Sequence, residues 1–470
     1  MIEAPATADI SALVGRVRGL LDRGQLPTAQ RLLAAVARVA APSPELWALQ
    51  ARLALGQGDA AGAAALLDRA VAAAPASASL RLCRAGARAA CDDAAAALQD
   101  AAEAVLLAPR LPAAKALLGA LLLELHRPQE ALACLEEAVT DAPSDLAARL
   151  ALARAQEVCG AAAVAAATLA EGVAQHPAYA GLRTESVLLA VRRGAFEEAV
   201  RLAGAARQSG CADAATLGLL GHALSSLGRH DAAADAYVAA LHLAPEDDYV
   251  RHLVAAAGRI ADAGRAPAAY VRAVFDGYAA RFDAHLLGLG YRVPGLARAA
   301  LAGSDCAGPV LDLGCGTGLL AQALADLAPG PWTGVDLSPR MLALAAARGC
   351  YAELHEADLP DFLASGNRRC SLVLAGDVLP YFGDLVPLFA AVARHLAPGG
   401  RFVCSVESLP GADPPWHLGR LGRYRHAASH VAAAAAAAGL QVARLDAEII
   451  RTEQDEPVPG LFAVLHGGAP

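Results

Sequence analysis

Residues 310–318 read V-L-D-L-G-C-G-T-G and residues 333–339 read T-G-V-D-L-S-P, which sets Asp336 twenty-four positions after Asp312. Val310 to Leu313 is a short β-branched and leucine run, suited to a strand buried on both faces. Gly314, Gly316 and Gly318 then let the backbone turn tightly and approach a ligand before a helix begins near Leu319. The N–H groups exposed at such a turn can receive an anion. A second apolar run ends in Asp336, where a carboxylate can accept from two ribose hydroxyls at once and disfavours a 2′-phosphate. Strand, glycine turn and distal acid together spell the nucleoside-binding edge of a doubly wound α/β domain.

A dinucleotide fold writes G-x-G-x-x-G, whose last glycine allows close helix packing and whose loop cradles a pyrophosphate. Here the glycines alternate and an acid stands two residues before the first, so a nicotinamide oxidoreductase fails on loop spacing. A lone glycine loop is also a plain turn, but the strand and the distal acid accompany this one. The spelling closely resembles that of class I S-adenosylmethionine (AdoMet) methyltransferases. The resemblance implies a Rossmann-like, seven-stranded, mostly parallel sheet, AdoMet as cofactor, and a loop facing its methionine part. It implies cofactor contacts at Asp312, Gly314, Cys315, Gly316, Asp336 and Leu337, with Cys315 a loop residue and not a nucleophile.

The remaining motifs of that family follow in order. H-E-A-D-L at 355–359 resembles the acidic motif in which an Asp accepts from the adenine amino group and the next backbone N–H contacts the ring, which assigns Asp358 and Leu359. S-L-V-L-A-G-D at 371–377 resembles the fourth strand, and L-A-P-G-G-R-F-V-C-S-V-E at 396–407 the following turn and fifth strand. Met341, on the helix after Asp336, reads either as an adenine contact or as a core gap-filler.

A chain of 470 residues is natural for two or three domains. Its formal charge of -8, with no basic cluster interleaved with aromatics, argues against a nucleic-acid partner. The ten cysteines are scattered without a C-x-x-C pair, so neither a metal site nor a disulfide framework is expected. Charges break the apolar stretches before the roughly 18 residues that a membrane span needs. The opening M-I-E-A-P-A-T-A-D-I carries acids and no apolar core, which reads as no secretory signal and a cytoplasmic location.

The first half repeats every 34 residues. Alanine stands at 29, 63, 97, 131, 165, 199 and 233, and a second register holds Ala70, Ala104, Ala138, Ala206 and Ala240 with Val36 and Gly172 filling in. Proline recurs at 75, 109, 143, 177 and 245, and the missing member is Cys211. Small residues let paired helices approach closely and proline stops each second helix. The period is that of a tetratricopeptide (TPR) repeat, which predicts an all-α solenoid of about seven units over 10–248. Such an array presents a concave face to a protein or peptide partner, or it serves only to dimerise or prop the second domain.

Between the halves, Y-V-R-A-V-F-D-G-Y-A-A-R-F-D-A-H-L at 270–286 places aromatics on one helical face. The segment resembles the one that precedes the catalytic domain in bacterial class I methyltransferases with N-terminal TPR repeats. That resemblance runs over nearly the whole chain, to the tail L-D-A-E-I-I-R-T-E-Q-D-E-P-V-P-G-L-F-A-V-L at 445–465. It departs at Ala427 and His430, where a Ser and an aromatic are expected. It implies capping and lid helices over 249–302, a methyltransferase domain over 303–470, and lid residues Tyr278 and Arg281, whose other reading is packing and surface charge.

Asp377, at the end of the fourth strand, and Tyr381 beside it are the catalytic candidates, with Asp384 nearby. D-V-L-P-Y is similar to the D-P-P-Y motif of amino-group methyltransferases, but one extra residue separates the acid from Pro380 and the likeness is read as accidental. His417, His426 and His430 are either a general base or solvated bystanders. The expected function is AdoMet-dependent methyl transfer to a small-molecule or protein acceptor, with the repeat arm binding a partner, substrate or second subunit. The alternative is a non-catalytic adaptor whose second domain only holds AdoMet.

Overall fold

The computed structural model describes residues 7–304, 306–453 and 456–467. The reading of the first ten residues thus falls mostly outside the described part, as do Gln454 and Asp455 of the tail. The chain divides into two compact units, Met1–Ala223 and Leu224–Pro470.

The first unit is a succession of helices beginning at Thr7–Asp22 and Leu26–Val39, each packed against the next as far as Phe196–Gln208. The two alanine registers are what bring these helices together. Ala29, Ala63, Ala97, Ala131, Ala165 and Ala199 are wholly buried, and so are Val36, Ala70, Ala104, Ala138 and Ala206. The exception in the second register explains itself. A methyl added at Gly172 would lie 2.6 Å from Cδ of Arg149, so the stem of that arginine occupies the space a methyl would need. Arg149 is 2% exposed, and its Nη2 donates to the carbonyl of Pro143 at 3.2 Å and to Gln175 Oε1 at 3.1 Å, while its Nε has no partner among the described residues.

The prolines end the second helix of each pair by constraining the residue before them. Ala74, Ala108, Ala142 and His176 all leave the helical region for φ between -140° and -130° and ψ between 66° and 77°. Where Cys211 replaces proline the ending changes: Ser209 stays near the helix at φ -82° and Gly210 turns left-handed at φ 68°. The first helix of each pair ends by a third register of the same period. Gly24, Gly58, Gly160, Gly194 and Gly228 are left-handed there, and Asp92 and His126 hold the same conformation at φ 59° and 57°. For those two residues the turn is strained, by about 1 kcal/mol or more for a residue bearing Cβ.

The second unit contains helix His230–Leu243, whose Ala233 and Ala240 continue both alanine registers into it, and helix Asp248–Ala256, capped by Asp247. The repeat periodicity therefore outlasts the boundary between the compact units. Helices Ala268–Tyr278, Phe282–Gly288 and Val293–Leu301 then lead to a sheet of β1 (Val310–Leu313), β2 (Trp332–Asp336), β3 (Glu353–Glu356), β4 (Cys370–Ala375), β5 (Leu396–Ser408), β6 (Trp416–Leu418), β7 (Tyr424–His426), β8 (Leu440–Glu453) and β9 (Glu456–Gly467). β3, β2, β1, β4 and β5 run parallel in that spatial order, β9 pairs antiparallel with β5, and β8 with β9. Those seven strands are the sheet expected. β6 and β7 form a short antiparallel pair whose second strand meets the end of β5 at Glu407 and Ser408, an addition that no sequence pattern announced.

β1 and β2 are buried along their whole length, and β4 everywhere but at Ser371. Leu311, Leu313 and Val373 join one core with Phe389 and Phe402, while Val310, Leu372 and Leu374 join another with Leu324 and Phe462. This is why β1 reads as an unbroken apolar run and not as an alternating one. The sheet thereby holds the carboxyl ends of β1, β2 and β4 side by side, where doubly wound sheets carry their ligand sites.

Candidate functional site

The glycine turn leaves β1 with Gly314, Gly316 and Gly318 at φ 67°, 55° and 88°, a run of left-handed residues that only glycine adopts without strain. A methyl at Gly314 would also lie 2.6 Å from a methyl of Val378. The turn is stitched to β2, since the N–H groups of Gly314 and Cys315 donate to the carbonyl of Val335 at 2.8 and 3.0 Å.

Asp336, at the tip of β2, is fixed by backbone at both oxygens: Gly316 N donates to Oδ2 at 2.9 Å and Ser338 N to Oδ1 at 2.8 Å. Burial pushes its carboxyl up while these N–H donors hold it down. Each oxygen keeps a further lone-pair position for a hydroxyl donor.

A cavity of about 340 Å³ opens over these strand ends. Gly314, Cys315, Gly316, Asp336, Leu337, Asp358 and Leu359 of the expected cofactor contacts line it, together with Tyr278, Asp377 and Tyr381. Burial pushes the Cys315 thiol well up, which makes it a poor nucleophile. Tyr278 stands edge-on to Phe282 and His285 at 5.8 and 5.2 Å, and Tyr381 edge-on to Phe275 at 5.6 Å.

Three residues expected at the cofactor do not reach this cavity. Asp312 is wholly buried within β1, just before the glycine turn, and it accepts from Tyr351 Oη at 2.7 Å. Its second oxygen has no partner, and burial pushes its carboxyl up to about 7. Met341 is wholly buried on the inner face of helix Pro339–Arg348, so it fills the core. Arg281 is exposed and lies over the Tyr278 ring at 5.5 Å, because the 3-10 turn Ala279–Arg281 carries it outward.

The three candidate histidines also lie off the cavity. His426 and His430 stack on each other at 5.6 Å, and burial lowers His426 to about 3, which keeps it neutral. His430 Nε2 accepts from the backbone of Leu385 at 3.3 Å, so its role is to fasten a loop. The histidine that does line the cavity is His285.

Beside Asp377 the structure brings together a charged cluster that sequence reasoning missed. Arg451 of β8, 3% exposed, donates to both oxygens of Asp377 at 2.9 and 3.0 Å, to Glu453 at 2.7 Å and to Glu407 of β5. Arg423 donates to Glu453 at 2.8 Å, and its Nε lies 2.8 Å from Glu407. Asp377 itself sits at φ 59°, a strained conformation for a non-glycine residue. Burial pushes its carboxyl up and Arg451 opposes that. These residues come from four separate stretches of chain, so no local spacing signals them. Among the described residues no group of three or more metal-ligating side chains is placed to hold a metal ion, and no helix is long and apolar enough to cross a membrane.

Residues 310–400 match the family model described as a methyltransferase domain, and residues 214–247 match a tetratricopeptide repeat model. The chain is 31% identical over 175 residues to a malonyl-[acyl-carrier protein] O-methyltransferase of Hahella chejuensis, which covers 36% of this chain and 62% of that one. It is 33% identical over 113 residues to a trans-aconitate 2-methyltransferase of Rhizobium meliloti, covering 24% of this chain and 42% of that one. The matches thus span less than two thirds of either relative. Among solved structures, a tetratricopeptide repeat protein from Parabacteroides merdae aligns with 52% of this chain and 97% of its own, at 18% identity and a TM-score of 0.42.

Proposed function

We propose that this chain, in which tetratricopeptide repeats precede a class I methyltransferase domain, transfers the methyl group of AdoMet to an acceptor bound beside Asp377. The observation that carries this reading is Asp336, whose two oxygens are held by Gly316 N and Ser338 N at the rim of a cavity floored by left-handed glycines. The residues present fit AdoMet. Asp336 would accept from the ribose hydroxyls and Asp358 from the adenine amino group. The N–H groups of Gly314 to Gly316 are already bonded to Val335 and Asp336, so the turn would meet the amino-acid end through the Gly314 carbonyl, which would accept from its amino group. Asp312, with one orphaned oxygen just before that turn, would hold the turn in shape. When bound, AdoMet supplies an electrophilic methyl on a sulfonium.

The residues of the chain position the partners and exclude water, which supplies several kcal/mol of a transfer barrier. Tyr278, Phe275 and Phe282, from the helices that precede the sheet, line the cavity with aromatic rings. Tyr381, whose phenol burial holds in its neutral form, would donate a hydrogen bond to the acceptor atom. Asp377 would take the acceptor's proton at a lone pair that Arg451, which donates to both of its oxygens, does not occupy. The repeat arm would bind a protein partner, the substrate or a second subunit. The relatives reported above are named for malonyl-[acyl-carrier protein] and for trans-aconitate, and the acceptor here is left as a small molecule or protein group.

The test is a pair of titrations followed by thermal unfolding: AdoMet should raise the unfolding temperature in proportion to the logarithm of its concentration above its dissociation constant, and NAD should not. Labelled AdoMet incubated with cell extract and the protein should then yield a labelled product whose size assigns the acceptor class. Stabilisation without any labelled product would leave the adaptor reading in its place.

A further inference from the structure

Arg265 belongs to none of the motifs above, yet its position is fixed from several sides. It lies between helix Asp248–Ala256 and helix Ala268–Tyr278 and pairs as an isolated antiparallel bridge with Phe382. Its neighbours pin the same segment: Ala266 N donates to the carbonyl of Tyr381 at 2.9 Å, and Gly383 N donates to the carbonyl of Gly264 at 2.8 Å. Asp262 accepts from Gly264 N at 2.9 Å and from the hydroxyl of Tyr424. The guanidinium lies over the Phe382 ring at 5.2 Å, and Nη2 donates to both oxygens of Asp358. Arg265, Asp358 and Leu359 all line the cavity.

We propose that Arg265 is the positioning residue that turns Asp358 toward the base of the cofactor, and so sets the preference for an adenine over a base without the 6-amino group. The inference rests on the reading that the adenine end lies at Asp358. Asp358 precedes helix Leu359–Ala364, where a carboxylate ordinarily caps the helix by accepting from its first N–H groups. Its side chain makes no such bond. One N–H group shared between both oxygens holds the carboxylate away from the helix and leaves the outer lone pairs of each oxygen for another donor. A carboxylate turned this way accepts from an adenine amino group and repels the carbonyl oxygen that hypoxanthine carries at the same place. A site built around such a bond discriminates strongly, because the wrong base leaves buried polar atoms facing each other. Without Arg265 the Asp358 side chain is free to swing onto the helix terminus, and the repulsion goes with it.

The experiment is isothermal titration of the full chain with S-adenosylhomocysteine and with S-inosylhomocysteine, whose base carries oxygen in place of the amino group. The unaltered protein should bind the adenine compound at least about tenfold more tightly. Arg265→Met should reduce that preference about tenfold with the unfolding temperature unchanged, and Arg265→Lys should keep part of it. In an Asp358→Asn background Arg265→Met should change the preference no further, since the two act as one unit. Arg265→Lys, which keeps the charge beside Asp358, supplies the reading where Arg265→Met folds poorly: an undiminished preference in it together with an undiminished preference in Asp358→Asn would overturn the inference. An undiminished preference in Arg265→Met, tighter binding of the adenine compound by it, or equal losses for both compounds would overturn the inference. Binding of both compounds by the unaltered protein without preference would overturn it while sparing the cofactor reading, and binding of neither would overturn both.

Discussion

At the proposed cofactor end of the cavity, Gly314, Gly316 and Asp336 are bonded almost wholly to backbone, within a few residues of the tips of β1 and β2. At the acceptor end, Asp377, Glu407, Arg423, Arg451 and Glu453 meet as side chains on side chains, drawn from strands β5 and β8 and the loops beside β4 and β7. The difference teaches how each end tolerates change. A backbone-made site is set by chain geometry and survives the loss of a neighbouring side chain. A site made of buried ion pairs depends on every member, because removing one leaves the others charged and unpaired.

The largest expected effect falls on the acceptor end. Arg451→Ala should cost about 3–5 kcal/mol, the range for breaking a buried pair, read as a lower midpoint in denaturant unfolding. Adding Glu407→Gln should recover part of the loss. A midpoint equal to that of the unaltered protein would show that water reaches the cluster freely and that the two ends are alike.

The next effect belongs to the end of β1, just before the glycine turn. Asp312 is raised from the ordinary 3.8 to about 7 by burial, so the fold favours its protonated form. Its contribution is complete below about pH 4 and is lost as the pH rises through about 7, a change of a few kcal/mol at most. Asp312→Asn should therefore flatten the fall of unfolding temperature between those limits. An unchanged slope would mean that Asp312 stays charged in the folded protein.

The smallest effect lies in the repeats, where His126 occupies a left-handed turn that glycine holds in most other pairs. His126→Gly should stabilise the chain by about 0.5–1 kcal/mol, seen in the same denaturant midpoint. A loss would show that the imidazole makes a contact outweighing the strain.

Legibility in the sequence followed this division. The repeat array was written in the chain itself, because the same packing problem recurs every 34 residues and draws the same small residues at Ala29, Ala63, Ala97 and their successors. The left-handed register was only half visible, since Asp92 and His126 break its glycine spelling without breaking its geometry. The glycine turn and Asp336 were readable because local backbone geometry dictates residue type there. Burial decided where Asp312, Met341 and Arg281 ended up, and spacing carries no record of depth. Arg265 and Arg451 were invisible for another reason: each owes its place to partners on other elements, Asp358 lying 93 positions away and Asp377 lying 74.

The central claim is that Asp336 grips the sugar of an AdoMet molecule over the glycine turn. Titrating the unaltered chain and Asp336→Ala with AdoMet by calorimetry, alongside far-ultraviolet circular dichroism, tests it most directly. The account predicts saturable binding to the unaltered chain, weakened on the order of a hundredfold by loss of the two charge-assisted bonds, with helical content unchanged. Equal affinity in the two proteins would contradict it.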